Sequence, residues 1–316
     1  MKFLKIQWAR ALVGLVALLL LGSVLAPRSV SGQVLVSLLP FIGILGVAAI
    51  GQHLVIQQRG FDLSVAGVMS LSAAMISALV PSDAGIGVTL GYVALALAMG
   101  ACVGFLNGLM VTVIRVPALV TTIGSNAALL GITLYVTQGT PSAAPDSLKA
   151  FAVSSLWGMP WIFAIMVLCT VVASVTLART VTGRRFVAVG VNPTAADVLA
   201  IPVNRYRRAT YTLAGLLFAV AGVMLGAFLN TPNVFSGNAY MLTTVAAVVV
   251  GGSPLNGDRG SLLATVIGAA FLIFLDQLVL SLGFNQSVQN VVQALIVLAG
   301  VALPEVVRKQ SLRRRA

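Results

Sequence analysis

Long apolar runs recur along the whole of this sequence, and they constrain its fold more than any other feature. Each run is about 20 residues long, the length of α-helix that crosses a hydrocarbon core of about 30 Å. Of the 316 residues, 59% are hydrophobic and only 8% are charged, whereas soluble domains carry roughly 25% charged residues. The sequence therefore predicts an all-α, polytopic integral membrane protein, with a single transmembrane domain over residues 1–316.

The runs predict about ten membrane spans, of which the eighth is too short to cross alone. They lie near residues 9–26, 34–56, 62–80, 87–112, 118–137, 160–178, 210–229, 239–251, 261–283 and 286–303. The first span also resembles a secretory signal peptide, because basic residues precede it and Val24-Leu25-Ala26 ends it. We expect it to stay uncleaved as a membrane span, because the other spans then complete an even number.

The basic residues indicate how the spans are oriented. All 19 of them except Arg28 and Lys149 fall on one side of the predicted spans. Loops rich in Lys and Arg stay in the cytoplasm, so both termini are predicted to be cytoplasmic. This orientation explains the formal charge of +12, and we expect no binding to nucleic acid.

The most unusual cytoplasmic segment is the coupling loop, residues 179–209. Between its arginines lies an uncharged stretch in which Asn192 suits a helix N-cap and Pro193 the first helical turn. Ala195 and Ala196 follow, and their small side chains allow another protein to approach closely. Its six arginines are Arg179, Arg184, Arg185, Arg205, Arg207 and Arg208. A loop that only set the topology would not need the capped, uncharged stretch, so we expect this loop to bind a soluble partner.

Two segments interrupt the helical pattern, residues 60–67 and residues 251–260. Interruptions in the two halves of a transporter often mark a pseudo-symmetric core around a central pathway, and an inverted repeat is therefore one interpretation. The other is local: Asp62 and Ser64 are suited to accept the free N–H groups at the start of a helix. The sequence leaves both interpretations open.

Groupings that support catalysis or metal binding are missing from the sequence. His53 is the only histidine, the two cysteines (Cys102 and Cys169) lie in separate apolar runs, and there is no glycine-rich nucleotide loop. We therefore predict no catalytic residue, metal site or cofactor on this chain. Any ATP that drives it must be hydrolysed on another chain.

A few polar residues inside the spans are candidates for a solute pathway, because transporter sites lie near the membrane midplane. They are Asn107, Thr121, Thr122, Asn126, Asp276 and Gln277. Asp276 is the most informative, since a carboxylate at a helix centre costs about 2.5–3.5 kcal/mol to insert. It lines a cavity, pairs with a polar neighbour or is protonated.

Four blocks of sequence carry a resemblance to a known family. They are residues 60–65; Asn107-Gly108 with residues 115–117 and 121–124; residues 183–192 with Ala195, Ala196 and Ile201; and residues 245–253 with Gly260. In these blocks the chain resembles the permease subunits of bacterial ABC importers for monosaccharides, the ribose/xylose/galactoside group. Two positions depart from the family pattern: Met241 replaces a usual Glu, and Asp258 replaces a usual Gly.

The resemblance implies a transport subunit of the bacterial inner membrane rather than an enzyme. It implies ATP and Mg²⁺ on a separate ABC ATPase, a second copy or a sister permease in the membrane, and a periplasmic or extracytoplasmic sugar-binding protein. The residues that would couple to the ATPase are Gly190, Asn192, Ala195, Ala196 and Ile201.

Other functions remain as alternatives. Within transport, the cargo is a monosaccharide or another small solute, such as a branched-chain amino acid, a nucleoside or a furanose signal. An ion-coupled carrier and an integral membrane enzyme are the competing classes. The missing catalytic groupings argue against the enzyme.

Overall fold

The computed structural model describes residues 7–257, 260–296 and 298, and these residues form an all-α structure. The helices are α1 Gln7–Leu25, α2 Gly32–Gln57, α3 Val65–Ala78, α4 Ile86–Leu109, α5 Ala118–Thr137, α6 Asp146–Val153, α7 Trp161–Arg179, α8 Val181–Val191, α9 Pro193–Val198, α10 Val203–Leu229, α11 Tyr240–Val250 and α12 Leu262–Ser281. Residues 286–296 are also helical. The smaller elements are a 3₁₀ turn at Pro27–Val30, a π-helical turn at Met110–Ile114, and a hairpin of β1 Ser155–Leu156 and β2 Met159–Pro160.

Each of the ten predicted spans contains a helix. Among the described residues, seven helices are long and apolar enough to cross a membrane. The exceptions include α3 and α11, which have 14 and 11 residues and so reach about 21 and 17 Å, short of a core of about 30 Å. The remainder of the tenth predicted span, the basic tail after it and Asp258 lie outside the described residues.

The interior of the bundle is built from α2, α3, α10 and α12. Each contributes large side chains that are fully buried: Ile44, Met69, Phe218 and Leu272. Around them stand α1, α4, α5 and α7, which leave long apolar side chains exposed on their outer faces. Such a continuous apolar exterior indicates contact with lipid.

Glycines allow the helices to approach closely. A Cβ atom on Gly100 or Gly104 of α4 would overlap a carbonyl oxygen of α10, at Gly215 or Tyr211. Close backbone approach supplies the packing that holds helices together in lipid. Gly43, Gly46, Gly222 and Gly226 also pack against neighbouring helices.

A short link segment, residues 57–64, joins α2 to α3. The chain turns at Arg59, whose φ of 64° lies in the left-handed region. Gly60 follows against the Tyr211 hydroxyl, where a Cβ would meet the oxygen at 2.5 Å. The third predicted span begins at residue 62, whereas its helix begins at Val65. The difference arises because residues 62–64 belong to this turn. The link segment lies between the two groups of predicted functional residues.

Candidate functional site

The coupling loop contains two helices, and each has a side-chain cap at its start. Thr180 Oγ1 accepts a hydrogen bond from the Gly183 N–H at 2.9 Å at the start of α8. Asn192 Oδ1 accepts one from the Ala195 N–H at 3.0 Å, and Pro193 opens α9. The predicted cap and short helix at Asn192 are therefore confirmed. Helix α8 was not predicted, although its capping residue Thr180 and its apolar positions are visible in the sequence.

Helix α8 is fastened to the link segment by three hydrogen bonds. Gln58 Nε2 donates to the Phe186 carbonyl oxygen at 2.8 Å. Arg59 donates from Nε to the Gly190 carbonyl at 3.0 Å and from Nη2 to the Val191 carbonyl. The Gly190 and Val191 carbonyls lie at the end of α8, where a helix leaves acceptors without internal partners and favours positive charge. Arg59 is thus a cap supplied from a distant part of the chain.

Gly190 lies where α8 meets the link segment. A Cβ at this position would overlap the Gln57 carbonyl oxygen, so only glycine fits without moving one of the two backbones. The structure therefore gives Gly190 a packing position inside the protein rather than a position on its outer surface.

Helix α9 presents apolar side chains away from the bundle. Val198 is 82% exposed and Leu199 is 73% exposed. Ala195 is also exposed, whereas Ala196 is buried and Ile201 is partly buried. An exposed apolar cluster flanked by polar residues marks a surface for another molecule. Of the two predicted alanines, only Ala195 lies on that surface.

Four of the six predicted pathway residues meet at the start of α3, in a buried polar cluster: Asn107, Thr121, Thr122 and Asn126. Asn107 Nδ2 donates to Ser64 Oγ at 3.0 Å, and Asn107 Oδ1 accepts from Ser125 Oγ. Asp62 Oδ1 accepts from the Ser64 N–H at 3.0 Å and from Ser64 Oγ at 2.5 Å. Thr121 lies beside them, because its carbonyl accepts from Ser125 Oγ. Each of these bonds is made inside the protein.

Helix α5 provides the caps for this end of α3. Asn126 Oδ1 accepts from the Gly67 N–H at 2.7 Å, and Thr122 Oγ1 accepts from the Leu63 N–H at 3.0 Å. The local interpretation of Asp62 and Ser64 is confirmed for Asp62, whose Oδ1 accepts the Ser64 N–H, and wrong for Ser64, which makes no side-chain cap. The caps at Leu63 and Gly67 come from residues 59 positions later in the sequence.

Asp62 is the only charged member of the cluster among the described residues. Its second oxygen, Oδ2, is buried and has no hydrogen-bond partner among the described residues. Ser125 is the member that the sequence analysis missed. It lies four residues after Thr121, on the same face of α5.

Asp276 and Gln277 do not join this cluster. They lie on α12, which packs against α1, α2, α7 and α11, and both are partly exposed. Gln277 Nε2 donates to Ser281 Oγ at 3.2 Å. His53 is buried between α2 and α12, with Nδ1 at 2.7 Å from Thr265 Oγ1. The predicted pathway residues therefore form two separate groups.

Comparison with known proteins decides the class. The family model described as "Branched-chain amino acid transport system / permease component" matches residues 34–301. The chain belongs to this permease family. The resemblance to ABC importer permeases and the classification as a transport subunit, not an enzyme, are confirmed, and the permease is a multi-pass protein of the bacterial inner membrane.

The similar curated proteins include importer subunits with different named cargo. The permease is 33% identical over 300 residues to the ribose import permease protein RbsC of Escherichia coli (strain K12), covering 92% of each chain. It is 33% identical over 296 residues to RbsC of Bacillus subtilis (strain 168), covering 92% of this chain and 90% of the relative. The autoinducer 2 import system permease protein LsrC of Enterobacter sp. (strain 638) is 33% identical over 271 residues, which cover 84% of this chain and 78% of the relative. No solved structure matches the chain.

Proposed function

We propose that the permease is the membrane subunit of an ATP-driven monosaccharide importer, moved by a soluble ABC ATPase that binds α9. ATP and Mg²⁺ are bound by that partner, while this chain contributes no cofactor. The observation that carries the proposal is the exposed apolar surface of α9, which lies outside the membrane spans and is fixed to them through α8. The whole chain serves as one transmembrane domain, and residues 179–209 are its coupling loop.

The proposed orientation places both chain ends in the cytoplasm. With α2 entering the cytoplasm at Gln57 and α7 at Arg179, the link segment and the coupling loop lie on the same side. Their contact through Arg59 supports this arrangement. In this orientation the chain has about ten crossings, and the short helices α3 and α11 lie next to the two interruptions.

The contacts suggest how motion reaches the membrane. Closure of the ATPase moves α9 and, with it, α8. Because Gln58 and Arg59 hold α8, the link segment moves too and displaces the start of α3. Asn126 and Thr122 bind that start to α5, so α3 and α5 shift together. A second permease copy or a sister permease would supply the opposite wall of the pathway.

The polar residues have two proposed roles in that pathway. Asn107, Thr122 and Asn126 set the position of α3 through internal hydrogen bonds, and Thr121 accepts from Ser125 within α5, so the four residues shape the pathway. Asp276 and Gln277 keep polar atoms that are not used in the cluster, and they are the proposed contacts with the cargo.

The cargo is proposed to be a ribose-like sugar, delivered by an extracytoplasmic binding protein. Two of the relatives are named for ribose import, and LsrC is named for autoinducer 2 import. A furanose signal or a branched-chain amino acid is the alternative. Uptake of labelled ribose into vesicles carrying the full importer, in competition with unlabelled solutes, tests this: displacement by leucine but not by sugars would overturn the sugar assignment.

The ATPase contact is tested by Ala195→Trp. The bulky ring on the exposed face of α9 should abolish ATP-dependent uptake and co-purification with the ATPase, while the amount of permease in the membrane is unchanged. Ala195→Ser keeps a small side chain and should preserve both. Ala196→Trp is a poorer test, because Ala196 is buried and the variant also disrupts α9 itself. Normal uptake by the Ala195→Trp variant would contradict the docking role.

A further inference from the structure

An apolar groove runs along the outside of the bundle between α7 and α10, with α2 at its base. Its volume is about 470 Å³, within the range of roughly 300–1,000 Å³ found for small-molecule sites. The walls are formed by side chains such as Leu54, Val172, Leu213 and Leu217. The lining is almost entirely apolar, so the groove offers water few hydrogen bonds.

The groove runs from the coupling loop into the inner half of the membrane. Its lining on α10 extends from Tyr206 to Leu217, which at 1.5 Å per residue is about 16 Å. The part from Thr210 to Leu217 lies in the predicted span and covers about 11 Å, most of the roughly 15 Å of half a hydrocarbon core. Since α7 and α10 are both membrane-spanning by length and composition, the open side of the groove faces acyl chains.

Helix α8 closes the groove at its cytoplasmic end. Thr182, Gly183 and Phe186 contribute to the lining. Gly183 sits so close to α7 that a Cβ would overlap the Thr176 carbonyl oxygen. The groove is thus a blind cleft whose end is made by the helix that carries α9, rather than an open furrow between two spans.

Two arginines follow lining residues at this closed end. Arg179 lies three residues after Thr176, which is on the α7 wall, and Arg185 lies three residues after Thr182, which is on the α8 floor. Residues three apart share a helix face. Both arginines are exposed, and in the described part of the chain neither forms an ion pair. Two free guanidinium groups beside an apolar cleft complement an anionic head group with an acyl tail.

We propose that this groove binds one anionic phospholipid of the inner leaflet. One acyl chain lies between α7 and α10, and the phosphate is held by Arg179 and Arg185. This site is separate from the solute pathway and from the ATPase surface, but it rests on the proposed orientation. Because α8 forms its end, the lipid braces the helix that connects the ATPase to the membrane.

Photoactivatable phosphatidylglycerol, with the reactive group in the acyl chain, tests the groove in vesicles carrying the permease with its ATPase. Labelled peptides should map to α7 and α10. Ala209→Phe fills the groove and should remove most of that labelling, whereas Ala94→Phe, on the exposed face of α4, should leave it unchanged. Uniform labelling of all outer helices, or equal labelling in the Ala209→Phe variant, would overturn the site.

The head-group preference is tested separately with the Arg179→Gln/Arg185→Gln variant. In the wild-type protein, unlabelled phosphatidylglycerol should compete with the label better than phosphatidylcholine does. In the variant this preference should fall about 30-fold, which corresponds to roughly 1 kcal/mol for each charge. An equal preference in the wild-type protein would overturn the anionic assignment. Cross-links from the groove to a second permease or to the chain's own tail would show a protein occupant and overturn the proposal. Co-purification of the ATPase with each variant verifies folding, so failure of the lipid site is distinguishable from failure of the coupling loop.

Discussion

The coupling loop and the polar cluster lie at opposite ends of one link segment, and each reverses the usual distribution of side chains. Outside the spans, α9 exposes Val198 and Leu199. Inside the bundle, the start of α3 buries Asp62 and Asn107. Val198 and Leu199 bury little of their apolar surface against the rest of the chain. Such exposed apolar surfaces indicate a partner. Most of the buried polar atoms have partners already, which indicates a structural role.

This comparison separates residues that act on another molecule from residues that hold the protein together. The sequence identified pathway candidates only by their polarity, so residues of both kinds were among them. The hydrogen bonds and the exposure of each side chain are what distinguish them. Variants at the joint between the two regions should therefore disturb both, while variants inside one region should have narrower effects.

Gly190→Val should have the largest effect, because it acts at that joint. The new side chain overlaps the Gln57 carbonyl oxygen, and such overpacking costs about 1–3 kcal/mol. We expect α8 to move away from the link segment, so that uptake is lost and less ATPase co-purifies. Gly91→Val is the matched control, since a Cβ at Gly91 meets nothing within 4 Å. Equal uptake by both variants would show that close contact between α8 and the link segment is not needed for transport.

Asn107→Leu tests whether the polar cluster is structural. The variant removes the donor to Ser64 and the acceptor for Ser125, and each lost hydrogen bond costs about 0.5–1.5 kcal/mol. We expect a lower Tm in detergent together with reduced uptake. Gln277→Leu, outside the cluster, should reduce uptake with little change in Tm. If Asn107→Leu abolished uptake at an unchanged Tm, Asn107 would be a direct contact with the cargo.

The sequence predicted the local features of the molecule and missed the distant ones. Apolar runs located the helices because a span is a local property, and Asn192 with Pro193 predicted α9 because a cap requires only neighbouring residues. The caps of α3 were not predictable in the same way. The Gly67 N–H bonds to Asn126, 59 residues away, and the partner of Arg59 lies 131 residues away. A single sequence contains no signal for such pairs, so pathway residues and structural residues look alike.

Arg59→Gln should have the smallest effect on stability and the most selective effect on coupling. The variant removes the charged donor that binds the Gly190 and Val191 carbonyls, at a cost of about 1 kcal/mol or less because the side chain is exposed. The protein should fold and bind the ATPase, but motion of α8 would pass less completely to the start of α3. We expect more ATP to be hydrolysed per solute transported, measured in proteoliposomes that contain the full importer.

The control for Arg59 is Arg115→Gln. Arg115 has the same left-handed φ of 64° and is exposed, and no side-chain hydrogen bond to it is found in the described part of the chain. It should leave the ratio of ATP to solute unchanged. Arg59→Lys retains the charge but not the two donors that bind both carbonyls. Its ratio of ATP hydrolysed to solute transported should lie between those of the wild type and Arg59→Gln. A ratio unaltered in all three variants would mean that the coupling loop and the polar cluster move independently, and that α8 is held to the link segment only for folding.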